Sequence, residues 1–196
     1  MFLLRRPTDD QVSSFLASIE FSSFSYNPTR LTQLAENPGY NTDHNRRLLG
    51  HGPIVFEQAM TAIRSWKMFD IHWLTLYWPD TAIEVGATMA VLVQHLGIWS
   101  LNACRVVYLI KETGSLERFG FAYGTLQDHA ERGEERFTVE WNKEDDSVWY
   151  DIFAVSKPGT VARMAYPYAR RLQSRFAKDS LDAMFRAVNE GTGTQS

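Results

Sequence analysis

The chain carries a single cysteine, Cys104, among 196 residues. That excludes an intramolecular disulfide and a CxxC metal or redox pair. Cys104 lies in the apolar run "SLNACRVVY" and is expected to serve as a small buried hydrophobe. Also missing is any apolar stretch of the roughly 18–20 residues that a membrane-spanning helix requires. The opening "MFLLRRPTDD" has too short an apolar region for a secretory signal, and acids follow it directly, so a cytoplasmic location is expected. There is no GxGxxG after a strand, no GxxxxGK[ST] and no GxSxG elbow, which removes the common nucleotide-binding and hydrolase signatures. Repeats and low-complexity segments are absent. So is a basic excess: the net charge is −3, which argues against nucleic acid as a partner.

Aromatic residues are abundant, at 13% with six Trp and twelve Phe, and they need a large apolar interior or a pocket lined by rings. Charge is unevenly placed. Lys157 to Lys178 holds six basic residues and no acid, whereas Asp128 to Asp146 holds eight acids against three bases. Two solvated or mutually facing segments explain this, as does an anion-binding or partner-binding surface.

The pattern along the chain predicts a short helix beginning near Thr8, with Val12, Phe15, Leu16 and Ile19 on one stripe. "FSYNPTRLTQLAENPGYNTD" reads as loop with one helical turn. "HNRRLLGHG" reads as a short strand. "PIVFEQAMTAIRSWKMF" is a helix with Pro53 at its first position and Val55, Ala59, Ala62, Ile63 and Trp66 on one side. Six β-rich segments follow, separated by breaks at Pro79-Asp80, Gly97, Thr113-Gly114-Ser115, Arg132-Gly133 and Asp145-Asp146. A long final helix presents Tyr168, Leu172, Phe176, Ala183, Met184 and Val188, with Pro167 in its first turn or kinking its entry.

Strand, helix, six antiparallel strands and a long C-terminal helix imply an α+β helix-grip fold. A curved antiparallel sheet of about seven strands would wrap around the last helix and leave a cavity between them. This element order resembles the Bet v 1/START-like superfamily, a step of fold analogy. One domain over 1–196 is expected, with an extension over 1–40, the core over 41–190 and a flexible tail over 191–196.

The pieces "FLLRRP", "FSY", "NPGYNTDHNRRLLGHG", "FEQAMTAIRSWKMF", "WSLNACRVVYLI", "FGFAYGTLQDHAERGEERFTVEW" and "ARRLQSRFAKDSLDAM" come in the order that resembles the family DUF1990, also called UPF0548. The family name implies a fold and no activity. The chain departs from it after "FSY", where "NPTRLT" stands in place of the usual Val-Gly-Ala-Thr segment.

Candidate site residues come from strand alternation. Phe119, Phe121, Tyr123 and Thr125 share one face. Gly120, Ala122, Gly124 and Leu126 share the other, where small residues signal the close approach of another element or room for a ligand. His129 would act as a base near neutral pH, oriented by Glu131 or Glu134, with Tyr123 beside it. The alternative is a solvated hairpin turn at Arg132-Gly133. In "SLNACRVVY", Asn102 and Tyr108 lie opposite Arg105, which is read as gripping a ligand carboxylate, pairing structurally or facing solvent. Tyr150 and Ser156 are candidate polar pocket groups, and Phe121 and Phe176 candidate pocket walls. No metal site and no cofactor are expected. Three functions remain: binding of a small hydrophobic or lipid-like ligand, a cofactor-independent cyclase, hydrolase or isomerase in the same cavity, or a protein-interaction module. The sequence sets no oligomeric state.

Overall fold

The structure, a computed structural model, describes residues 1–78, 80–95, 97–127, 129, 131–158 and 166–190, without the side chains of Pro158 and Tyr166. In chain order the elements are β1 (Phe2–Leu3), α1 (Asp9–Ser18), β2 (Asn41–His51), α2 (Pro53–Arg64), β3 (Leu74–Tyr77), β4 (Thr88–His95), β5 (Ile98–Glu112), β6 (Leu116–Thr125), β7 (Glu131–Asn142), β8 (Ser147–Pro158) and α3 (Tyr166–Asn189). Short 3-10 turns occupy Leu31–Gln33 and Lys67–Phe69. The expected break at Pro79, residues Asp128 and Arg163 of the two charge runs, and the tail over 191–196 lie outside the described residues.

Strands β3 to β8 form an antiparallel meander, and β2 adds to its far side, giving the order β2-β8-β7-β6-β5-β4-β3. The two-residue β1 pairs with β5 at Phe2–Ser100 and Leu3–Trp99. With α3 gripped by this sheet, the arrangement is helix-grip.

Local sequence explains the helix starts. Thr8 caps α1 reciprocally: Gln11 N–H donates to its Oγ1 at 3.3 Å, and its own N–H donates to Gln11 Oε1 at 3.0 Å. Pro53 opens α2, where its missing N–H costs nothing. α2 buries Phe56, Ala59, Ala62 and Ile63 against the inner face of the sheet, and α3 adds Met184 and Val188 to the same core. Rings fill its centre. Phe69 stands 6.2 Å from Tyr123, 5.7 Å from Phe137 and 5.7 Å from Phe176, and Trp66 stands 5.1 Å from Phe121. Much of the aromatic excess is therefore core.

α1 covers the outer face, packing Val12, Leu16 and Ile19 against Leu92, Leu101, Ala103 and Leu126. Each buried Val, Leu or Ile of this cluster contributes about 1.5–3 kcal/mol.

Three expectations change. The strand expected to be short runs the full eleven residues of β2. The turn expected at Arg132-Gly133 lies earlier, because β7 already begins at Glu131 and Gly133 pairs with Ser156 inside the strand. Gly133 is a glycine because of crowding: a Cβ there would sit 2.0 Å from the Val155 carbonyl oxygen. Finally, β5 carries a bulge between Val106 and Tyr108, which breaks the simple alternation.

Candidate functional site

A cavity of about 480 Å³ lies between the sheet and α3. Every strand from β2 to β8 contributes a side chain to it, from Asp43 and Asn45 on β2 to Leu74 on β3, so the sheet must curve around it. One wall is apolar: Phe69, Trp73, Leu74, Val91, Leu172 and Phe176. Near one end Phe2 stands 6.4 Å from His95, and His95 stands 5.7 Å from Tyr168.

The polar part gathers on β7 and its neighbours. Because Glu131, Gly133 and Glu135 alternate along β7, both carboxylates reach the cavity. Tyr123 on β6 faces Glu135 in register and donates its phenol to Oε2 at 2.7 Å. Gln173 of α3 donates its amide N–H groups to Glu131 and to Ser156 Oγ, the latter at 2.9 Å. Arg170, one turn earlier on α3, clamps Asp43 with bonds of 2.5 and 2.6 Å and donates to Gln173 Oε1 at 2.7 Å. His129 lines the same cavity, and its Nδ1 accepts the Glu131 N–H at 3.0 Å.

Burial dominates the electrostatics. It pushes the carboxyls of Glu131 and Glu135 up to about 7 each, against hydrogen bonds that pull the other way. The same cause raises the Tyr123 phenol well above its ordinary value and lowers His129 to about 4. At neutral pH the site holds a neutral imidazole, a neutral phenol and two carboxyls poised between their charged and protonated forms. Such groups can exchange protons or meet a ligand's polar end. Among the described residues no cluster of His, Cys, Asp or Glu is arranged to hold a metal ion.

Of the residues singled out in the sequence, Tyr123, Thr125, His129, Glu131, Asn102, Ser156 and Phe176 meet in this cavity. Phe121 and Tyr150 point to the same side but lie in packed core. Trp66 covers Phe121, and Tyr150 is fully buried with its hydroxyl 3.0 Å from Ser180 Oγ on α3.

Arg105 and Tyr108 do not reach the cavity. Arg105 points to the outer face and docks α1, donating to the carbonyls of Ser22 at 2.8 Å, Glu20 at 2.7 Å and Ile19 at 3.2 Å. These carbonyls follow the last residue of α1, so the guanidinium pairs structurally with the chain just after the helix, away from the cavity. The bulge after Val106 turns Tyr108 to Arg105's side, where its hydroxyl lies 2.7 Å from Thr32 Oγ1. Glu134 also borders the cavity, but its carboxylate faces outward and makes no bond to His129. There it takes the Tyr26 hydroxyl and the Arg30 N–H at 2.8 Å each, the Thr32 N–H at 3.2 Å, and the Thr32 hydroxyl.

The sequence reading missed Asp43, Arg170 and Gln173 as members of the site. The signal was there in part. Asp43 alternates with Asn45 on β2, and Gln173 follows Leu172 on the helix face expected to be apolar.

Fold and cavity together define a helix-grip protein with a chamber that is polar at one end. Residues 25–183 match the family described as a domain of unknown function, DUF1990, and the chain belongs to that family. The UPF0548 protein of Dictyostelium discoideum is 34% identical over 208 residues, covering 96% of each chain. Among solved structures, the hypothetical protein jhp0584 from Helicobacter pylori is similar with a TM-score of 0.56 and 12% identity, over 86% of this chain and 100% of that one. A START superfamily protein from Mycobacterium smegmatis gives 0.49 at 14% identity, over 79% and 100%. At such identities the likeness is one of fold. No helix among the described residues is long and apolar enough to cross a membrane.

Proposed function

We propose that this protein binds a small apolar or amphipathic molecule between its sheet and its C-terminal helix. The observation that carries the reading is the cavity itself. Its volume of about 480 Å³ falls within the roughly 300–1,000 Å³ of small-molecule sites, and its walls join rings and aliphatic groups to a few converging polar ones. An apolar tail would lie along Phe69, Trp73, Leu172 and Phe176, with the polar end toward Glu131, Glu135 and Gln173.

Native mass spectrometry of the purified protein and titration with the neutral dye Nile red test this. Saturable dye uptake is expected, and it should be lost when Ala154→Trp fills the chamber from β8. A protein that takes up neither the dye nor any mass adduct does not bind ligands there.

A second reading, a cofactor-independent enzyme of cyclase, hydrolase or isomerase type, is favoured by one observation. Tyr123, Glu135 and His129 line the chamber with carboxyl and imidazole groups displaced from their ordinary ranges. If His129→Gln and Glu135→Gln leave turnover of any substrate found unchanged, this reading is wrong.

A further inference from the structure

We propose that the cavity selects an apolar molecule bearing one basic nitrogen, whose ammonium group sits between Glu131 and Glu135. This rests on the ligand-binding reading above and names the chemistry of its ligand.

Charged side chains reach the chamber from three elements, and the N-terminal ammonium, bonded to the Leu101 carbonyl, acts on His129. β2 brings Asp43, β7 brings Glu131 and Glu135, and α3 brings Arg170. Arg170 clamps Asp43 through two bonds, and its charge also reaches Glu131. One guanidinium therefore serves three carboxyls, which leaves an excess of negative charge when they ionise. Glu131 receives an amide from Gln173, and Glu135 receives a phenol from Tyr123, both neutral donors. Among the described residues neither glutamate takes part in an ion pair. The nearby imidazoles do not supply the charge, because burial holds both His129 and His95 toward the neutral form.

Geometry leaves a place for the missing cation. The residue between the two glutamates on the inner face is Gly133, and the crowding against Val155 keeps it a glycine. The floor between the carboxylates is therefore bare backbone. Phe69, Leu172 and Phe176 line the same cavity, suit a hydrocarbon body and offer no counter-charge. Buried carboxylates without a cation must hold protons or recruit one from outside. The raised values of both glutamates express that competition. A ligand ammonium replaces the proton, whereas a ligand carboxylate meets two like charges.

The test compares dodecylamine, dodecanol and dodecanoate, below their aggregation limits, by isothermal titration calorimetry at pH 8. Dodecylamine is expected to bind at least about tenfold more tightly than dodecanol, the size of one charge-assisted hydrogen bond. Dodecanoate should be the weakest of the three. The amine should weaken at pH 5.5, where protons occupy the glutamates. In the Glu131→Gln/Glu135→Gln protein its advantage over dodecanol should vanish, while circular dichroism matching that of the unaltered protein shows that the variant is folded. An amine that binds no better than the alcohol overturns the proposal, and so does an advantage that survives in the double variant. Failure of all three probes sinks the ligand-binding reading and this inference with it.

Discussion

The phenol of Tyr123 lies directly across the β6–β7 ladder from Glu135 and is its hydrogen-bond donor, at 2.7 Å. This bond holds the Glu135 carboxyl lower than burial alone would. Tyr123→Phe should therefore move the Glu135 titration above about 7. Carbon-13 NMR of the glutamate carboxyls reads that midpoint directly. The variant should also lose more stability at pH 8 than at pH 5, since a further-raised folded value costs stability only as pH rises.

The pH profile of folding should contain two opposed slopes. Glu131 and Glu135 rise from 4.5 to about 7 on folding, so the folded protein keeps protons that the unfolded chain gives up. Stability contributed by these groups is lost as pH rises through that window and is level above it. His129 falls from 6.5 to about 4, so its contribution is lost as pH falls through that window. In the wild-type protein one histidine offsets only one of the two glutamates, so a shallower decline with rising pH remains. His129→Gln should leave stability declining with rising pH, and Glu131→Gln/Glu135→Gln should leave it rising. Urea denaturation at pH 4.5, 6 and 8 distinguishes the slopes, and two variants with parallel profiles would refute the assignment.

A third prediction concerns the outer face. A Cβ at Gly124 would lie 2.1 Å from the Tyr26 hydroxyl, the group that donates to the buried Glu134. Gly124→Ala should destabilise by about 1–3 kcal/mol through overpacking. Tyr26→Phe should cost a similar amount by leaving a lone pair of Glu134 unmatched. Because both act on one contact, the double variant should cost less than the sum of the two. Additive losses in thermal denaturation would mean that the two residues are not coupled.

Arg105 supplies the fourth. Removing it with Arg105→Ala strips the three carbonyls just after α1 of their shared donor. The expected loss is about 2 kcal/mol, with hydrogen exchange speeding first across Asp9–Ser18. Nile red uptake should be unchanged, because the side chain lies on the far side of the sheet from the cavity. Reduced dye binding in a folded variant would contradict that placement.

The element order and the inner faces of β5 and β6 were readable because alternation and helical spacing are local properties. Tyr123, Thr125 and Phe176 fell into the cavity for that reason. Gly133 misled because a glycine beside an arginine and several acids looks like a turn. Its real cause, the backbone of β8, lies more than twenty positions away in sequence. Tyr108 misled because a bulge leaves no mark in the pattern of residue types. The loop "NPTRLT" was noted as a departure from the family pattern without a role. Its role became visible only when Arg30 and Thr32 were found bonding Glu134, a partner that no local pattern could indicate.

One feature of the sheet bears on how the protein is made. β2 leaves the growing chain early, yet its partner is β8, the last strand, with His44 facing Phe153 and Arg47 facing Tyr150. Contacts so distant in sequence close a large loop, which slows folding. During synthesis β2 must wait with an unpaired edge until nearly the whole chain has emerged, and α3 can dock only after β8 arrives. The chamber is thus completed by the final third of the chain, and a truncated product would expose the aromatic floor to solvent, a species prone to self-association.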